Sequence, residues 1–333
     1  RDPIDGRQFD LAKQLDPHDP TPWLYDAIRK QTLNRPAEAL ADLNKSIVLN
    51  DNRAVFRSQF QLDQDLATRS TSLARTYRDL GFEQLGFLEG WKSLDVDPGN
   101  FSAHRFLADS YAGMPRHEIA RQSEMLQSQL RQPLVIHPIQ TQIGELGTFI
   151  QQDIGFRDAA LNEYTPLFVR NRPALQINGM IGSNNTWGDE ILLSAVADRT
   201  SFGIGQFHYE TDGHRPNADQ QQNGLAAFAQ LAITPSTSVQ IEARKSKIER
   251  GDLYMRIDPD DYDPFLRETI DEKIFRVGFR HEFSTRSDVI GSYWHQTTDD
   301  DLVWGPGDAF FSEEKGDQVE LQHLYKFGSA HLR

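Results

Sequence analysis

From about Ala174 to Phe327 the chain alternates apolar and polar residues with a period of two. A period of two is that of strands, in which successive side chains point to opposite faces. Val239, Ile241 and Ala243 alternate with Gln240, Glu242 and Arg244. Phe275, Val277, Phe279 and Phe283 alternate with Arg276, Gly278, Arg280 and Glu282. Near the end, Val319, Leu321, Tyr325 and Phe327 alternate with Gln318, Glu320, Gln322 and Lys326. The second set in each strand is rich in charges and amides, which suits the wet lumen of an outer-membrane barrel.

The connections sharpen this reading. With the first half of the chain in the periplasm, the first strand (about Ala174 to Ser183) runs outward. The even-numbered connections are then periplasmic: Asp198-Arg199-Thr200, Thr234 to Ser238, Ser284 to Ser287, and Gly328-Ser329. All are brief and made of turn formers. The odd-numbered connections face outward, and after the first (Asn184 to Asp189) they read as long and polar: Thr211 to Gln222, Glu249 to Ile270, and Thr298 to Gly316. Short periplasmic turns with longer external loops are the pattern of bacterial outer-membrane barrels. The alternative is a soluble antiparallel sandwich, which has no reason to keep that parity.

The preceding half is helical and repeats. Leu49-Asn50-Asp51 stands 34 positions after Leu15-Asp16-Pro17, the tetratricopeptide period. Trp23, Leu24, Tyr25 and Ala27 fit the first helix of a repeat, and Ala37 to Leu49 the second, with Pro36 at a first helical position. Phe101 to Tyr111 and Arg116 to Leu130 read as another pair, and Asn52 to Trp91 as an irregular or inserted one. Trp23, Tyr25, Ala27 and Tyr111 are read as packing residues between stacked helices, or as part of a face that binds a peptide or partner protein. From Gln132 to Pro173, prolines and glycines break the pattern. That stretch is a linker, or part of it (Ile143 to Phe156) is a small plug. The expected organisation is thus an α + β multidomain chain. A tetratricopeptide-like helical solenoid (1–131) is followed by a linker or plug (132–173) and an antiparallel transmembrane β-barrel (174–333), incomplete at its C-terminal end.

Composition narrows the function. The chain has 333 residues and a formal net charge of −14, against nucleic-acid binding, which needs a basic surface. There is no cysteine, so disulfides and thiolate metal sites are excluded. No run of eighteen apolar residues occurs, which excludes a transmembrane helix. A mean hydropathy of −0.59 is compatible with a barrel, because only alternate strand residues meet lipid. The opening lacks a signal-peptide core and Ser329 to Arg333 looks like the start of another strand, so a piece of a longer precursor is expected.

Catalytic motifs were sought. His117-Glu118 is followed by Arg121 where a zincin helix needs histidine, and no nucleophile elbow, Walker loop or dinucleotide fingerprint is present. The chain reads as a non-enzyme without a cofactor. The acidic run holding Asp258, Asp260, Asp261 and Asp263 is a candidate Ca²⁺ loop through oxygen ligands, or a solvated external loop. Arg244, Arg276, Arg280, Glu282, Glu320 and Lys326 are candidate lumen residues, either setting solute selectivity or forming salt-bridge ladders between strands.

Four stretches carry a resemblance: Ala103 to Tyr111 (AHRFLADSY), Pro115 to Arg121 (PRHEIAR), Gly205 to Gly213 (GQFHYETDG) and Gly278 to Phe283 (GFRHEF). They resemble Gram-negative outer-membrane proteins in which tetratricopeptide repeats precede a barrel similar to that of TonB-dependent receptors. The resemblance implies an outer-membrane location with the N-terminal domain in the periplasm; it carries no substrate. Two functions are compatible with it. One is passage of a solute or polymer across the outer membrane, with the repeats recruiting periplasmic partners. The other is an interaction scaffold anchored in outer-membrane lipid that moves nothing. A soluble helical-repeat and β-sandwich binding protein is the third alternative.

Overall fold

The helices begin where the sequence supplies starts and stop where it supplies breaks. The computed structural model describes residues 3–111, 114, 117–132, 171–254, 258, 260–327 and 330–332. They form two units, a helical one through Gln132 and a sheet one through His323, with the stretch from Leu324 grouped with the helices. In the helical unit α1 (Pro3–Leu15), α2 (Thr21–Thr32), α3 (Pro36–Val48), α4 (Gln59–Asp79), α5 (Glu83–Val96), α6 (Phe101–Tyr111) and α7 (Glu118–Arg131) follow one another. Prolines occupy the first turns of α2 and α3, where a missing N–H costs nothing. Ser58 and Gln61 form a capping box at the start of α4. Consecutive helices pack as hairpins, α2 on α3, α4 on α5 and α6 on α7. The 34-residue spacing marks real helix exits, since α1 ends at Leu15 and α3 is capped by Leu49. The irregular middle is a 3₁₀ turn, Asn50–Val55, followed by the 21-residue α4.

Two small cores hold this unit. Ala27, Ala39, Leu43 and Leu73 form one; Ala74, Leu94, Ala103, Phe106 and Leu107 form the other, with Phe87, Trp91 and Tyr111 against it. Gly90 lets α5 lie against Phe106, since an added Cβ would sit 2.8 Å from that ring. A charge cluster adds to these cores. Asp26, 1 % exposed, receives Lys13 at 2.6 Å and Arg29 at 2.6 Å. Lys30 sits 2.5 Å from Asp42, and Lys13 3.1 Å from it. Three helices are thereby tied by buried, mutually satisfied ions. Burial alone would raise the Asp26 pKa, but hydrogen bonds from Lys13 and Arg29 outweigh it and hold the carboxyl well below its ordinary value. Elsewhere His104, fully buried, donates Nε2–H to the Pro98 carbonyl at 3.0 Å, with Nδ1 2.5 Å from Glu124.

The sheet unit is antiparallel with strands in chain order. The strands are β1 (Arg172–Ile181), β2 (Trp187–Ala197), β3 (Thr200–Thr211), β4 (Gln220–Thr234), β5 (Thr237–Arg250), β6 (Arg267–Ser284), β7 (Ser287–Gly305), β8 (Asp308–Phe327) and the short β9 (Ala330–Leu332). Among the described residues no pairing joins β1 to a later strand than β2; the sheet is open there, and a closed barrel is not part of it. The turns at 198–199, 235–236 and 285–286 have two residues each, and Asp198 takes the left-handed region at φ 52°, which Asp tolerates. The connection expected at Gly328-Ser329 lies outside the described residues, as does the plug or linker segment from 133 to 170.

One expected loop is corrected. Thr298 to Gly316 is not a long loop but the far end of a hairpin. β7 and β8 run 19 and 20 residues to a two-residue turn at Pro306-Gly307. Gly307 adopts φ 94° there, a conformation open to glycine at no steric cost. The polar, acidic composition hid these strands, because charged residues on both faces erase the alternation that marks a half-buried strand.

The decisive observation is which face is covered. Along β3, β4, β5 and β6 one face is mostly polar or small and buried, with Tyr209, Phe228 and Ile274 as its buried apolar side chains, and the large apolar residues of the other face are exposed. Gln222 and Arg276 are 0 % and 1 % exposed, whereas Ile177, Phe279 and Leu321 are 65 %, 42 % and 71 % exposed. A water-soluble sandwich does the opposite.

Replacing Asp26 by Asn should lower the stability of the helical unit by roughly 3 kcal/mol at pH 7, because it leaves buried cations without their carboxylate. The native Asp26 pKa is depressed, so its contribution is present above the unfolded value near 4 and is lost as pH falls further. Urea unfolding of wild type and variant at pH 7 and pH 3 should show a gap that narrows at the lower pH.

Candidate functional site

The polar face of β4 to β8 collects the chemistry of the sheet. Register puts Glu242 opposite Arg276, and the two side chains form a buried ion pair. On β7 the residue opposite Arg276 is Trp294, also buried. Gln230 and Gln240 face each other across β4 and β5, both buried. Nearer the short turns, the Arg280 Nε donates to Asp288 at 3.0 Å and its Nη2 to Glu282 at 2.7 Å. Glu320 accepts a hydrogen bond from Gln322 on β8. At the other edge Asn178 donates to Glu190 at 2.9 Å.

All six residues singled out as lumen candidates lie on this face: Arg244, Arg276, Arg280, Glu282, Glu320 and Lys326. Arg244 is buried, two residues from Glu242 on the same side of β5. Lys326, on the same side of β8 as Glu320, has a different partner. It lies in the stretch grouped with the helical unit, and its ammonium is 2.9 Å from Asp97. The face is neither a row of free charges nor a smooth pore wall. Arg276 and Arg280 are engaged by carboxylates, the ladder arrangement in which a buried ion is offset by a counter-ion.

The acidic loop residues, the candidate Ca²⁺ ligands, make local hydrogen bonds. Asp258 Oδ1 accepts the Asp260 N–H at 3.0 Å, and Asp263 Oδ1 accepts the Phe265 N–H at 2.8 Å; both are local turn bonds. Among the described residues no group of three or more His, Asp or Glu side chains converges as a metal ion would require. Asp261 contributes its carbonyl, 3.3 Å from Arg215.

Arg215 is the centre of a lock that the sequence did not announce. Its guanidinium donates to the carbonyls of Asp252 at 3.1 Å and Tyr254 at 2.6 Å, and stands 3.3 Å from the Asp252 carboxylate. Asn217 Nδ2 donates to the carbonyls of Asp263 and Leu266 at 2.6 and 3.0 Å. Asp252 Oδ2 accepts the Asp263 N–H at 2.8 Å. The described residues of two connections, 212–219 and 251–266, are thus bonded to each other. Gly213 (φ 78°) and Gly251 permit the close approach; a Cβ on either would run into the backbone of Ala218 or Asn217. The signal in the sequence was the pair of glycines beside Arg215 and Asp252, but the partners lie tens of residues apart.

In the helical unit, Ala27 is fully buried in the first core, and Tyr111 packs edge-on to Phe87 at 5.3 Å. Trp23 is covered by Lys13, whose ammonium is 4.4 Å from the ring centroid. Tyr25 is half-buried on α2. Three of these four are packing residues. The exposed apolar side chains lie elsewhere: Leu15, Val48, Val55 and Phe56 around the first hairpin and its exit, and Phe82, Leu85, Leu88 and Ile119 farther along.

No family model and no curated protein matches the chain. Among solved structures, one described as the crystal structure of MamA is similar at 15% identity, over 37% of this chain and 82% of that one, with a TM-score of 0.18. A score that low carries no argument about fold or function.

Changing Glu242 to Gln should leave the buried Arg276 without its carboxylate, at a cost of roughly 3–5 kcal/mol. Changing both Glu242 and Arg276 to Gln should recover part of that loss, because the members of a contacting pair are not additive. Urea titration followed by tryptophan fluorescence, with Trp294 next to the pair, reads both effects in E242Q, R276Q and the double variant; a double-variant loss equal to the sum of the two single losses would mean that the pair does not couple.

Proposed function

We propose that the chain is an outer-membrane β-barrel protein that carries a helical-repeat, partner-binding module on the periplasmic side. The observation that supports this is the inverted burial of the sheet. Leu225, Leu231 and Ile233 on β4, Ile241 on β5 and Phe275, Val277, Phe279 and Phe283 on β6 are all exposed. Burying such side chains is worth roughly 1.5–3 kcal/mol each, and a water-exposed patch of this extent is rare in a monomeric soluble protein. Lipid is the medium that accepts it without a second protein layer. On β6 the outward positions from Phe275 to Phe283 cover about 27 Å along the strand, interrupted by His281, which is bonded to Thr237 at 2.8 Å. That matches an apolar band about 25 Å tall crossed by tilted strands.

Within this reading the barrel is a closed scaffold rather than an open pore. The buried state of Gln222, Gln240 and Arg276 supports it, since residues lining a water-filled channel are wet. The partner module reads as protein-binding, supported by the helical hairpins and by exposed Leu85 and Leu88 on one side of α5. No catalysis is included.

Passage of a solute or polymer is the second reading, favoured by the amide and arginine content of the polar face. It requires the Arg276–Glu242 row to part.

The full-length gene product in a Gram-negative host should fractionate with the outer membrane and migrate faster on a denaturing gel before boiling than after. A soluble product whose mobility ignores heating would overturn the reading. In planar bilayers the wild type should conduct little; steady conductance of the wild type would select passage over the closed scaffold.

A further inference from the structure

Beyond its apolar surface the sheet carries aromatic side chains that nothing in the sheet receives. The outward positions change from apolar to charged along a common row: from Ile241 and Ala243 to Lys245 and Lys247 on β5, from Phe275 to Lys273 and Asp271 on β6, and from Val319 to Asp317 on β8. All these changes lie toward the long connections, the external side in the outer-membrane reading. Past that row β7 and β8 continue to the turn at Pro306-Gly307, and Trp304, Phe310 and Phe311 flank it. The three are 44 %, 53 % and 69 % exposed. Phe311 stands eight residues past Val319, about 26 Å along the strand, so the apolar band does not account for it. Consecutive strand residues point to opposite faces, so Phe310 and Phe311 put a ring on each side of the tip.

The neighbouring connection adds a further ring on a held backbone. Register pairs Arg267 with Val303, which brings Phe265, two residues before Arg267, close to the β7 end of the tip. The Phe265 N–H donates to Asp263 Oδ1 at 2.8 Å, and the carbonyls of Asp263 and Leu266 on either side accept Asn217. The ring itself is 52 % exposed. An exposed ring on a backbone already held in place loses little freedom when a partner covers it, and aromatic anchors carry a large share of interface energy.

Charge decides which partner fits. Asp299, Asp300, Asp301, Asp308 and Glu314 flank the aromatic tip and form no ion pair with a described residue. The cations nearby are already engaged: Lys315 by Glu313, Arg250 by Glu268, Arg267 by Asp219, Lys247 by Glu249, and Lys273 and Lys245 by Asp271. Exposed rings among carboxylates are complementary to a segment that sets arginine or lysine beside apolar side chains, because its cations meet both the carboxylates and the ring faces.

We propose that the tip bearing Trp304, Phe310 and Phe311, with Phe265 beside it, docks a cationic, partly apolar segment of a partner protein outside the cell. The proposal rests on the outer-membrane reading, which puts this end of the sheet outside.

The test uses the full-length protein in lipid-free detergent micelles, with empty micelles as the blank, and three labelled synthetic peptides of equal length. One alternates arginine with leucine, one has glutamate in place of arginine, and one has serine in place of leucine. Fluorescence anisotropy reads binding, and the heat-dependent gel shift reports the barrel. The arginine–leucine peptide should bind, and W304S/F310S/F311S should weaken it roughly thirtyfold while keeping the gel shift. D299N/D300N/D301N should weaken it roughly tenfold at low salt, with a smaller difference at high salt. The two control peptides should not bind. No binding by the wild type, equal binding by the aromatic variant, or equal binding of the serine peptide would overturn the docking site and leave the barrel reading standing. Binding of a neutral oligosaccharide through the same rings, without the cationic peptide, would overturn the assigned partner. A wild type without the gel shift would overturn the outer-membrane reading and the external placement of the tip with it.

Discussion

The sheet is governed by the cost of exposing hydrocarbon to water. Its apolar side faces out and its polar side is covered, so the hydrophobic term that drives a soluble sandwich to close is left unspent on one surface. Something apolar has to lie against Phe279, Leu225 and Leu321. Other features are consistent with that demand. The turns on one side are reduced to two residues, so little polar backbone lies between the strand ends there. On the other side the outward positions become lysines and aspartates at a nearly constant level. In the proposed outer-membrane reading, a surface that meets two media, with the change placed along one row, accounts for both.

The covered polar side poses the reverse problem. A carboxylate or guanidinium without water must find a counter-ion or hydrogen bonds, or the structure bears the desolvation penalty. Glu242 with Arg276, and Arg280 with Asp288 and Glu282, meet this requirement through strand register. The helical unit solves a similar problem with Lys13, Asp26, Lys30 and Asp42. In both units buried ions add positional specificity to cores of modest size. The Arg215 lock extends the principle to the connections. There a guanidinium satisfies backbone carbonyls that the irregular chain would otherwise leave without partners, giving two long segments a single defined arrangement.

Much of this was legible in the residues, and the exceptions share a cause. Strand positions of Val239 to Arg244 and Phe275 to Glu282 followed from alternation, and helix ends near Leu15 and Leu49 from the 34-residue spacing. The hairpin at Pro306-Gly307 was read as a loop, because a strand that is polar on both faces has no period to detect. Trp23, Tyr25, Ala27 and Tyr111 were recognised as a set, but aromatic content alone does not separate a packing face from a binding face. The Glu242–Arg276 pair and the Arg215 lock needed the pairing of strands or the meeting of loops, which no local pattern encodes.

By itself, the sequence determined the helical half, the antiparallel half, the places of the short turns and the two chemically distinct faces of the alternating strands. Those are local properties, set by side-chain periodicity and turn chemistry. Only the tertiary structure decided which face is covered, which arginine meets which carboxylate, and where the apolar surface stops. Periodicity says that two faces differ; burial alone says which one the protein keeps from water.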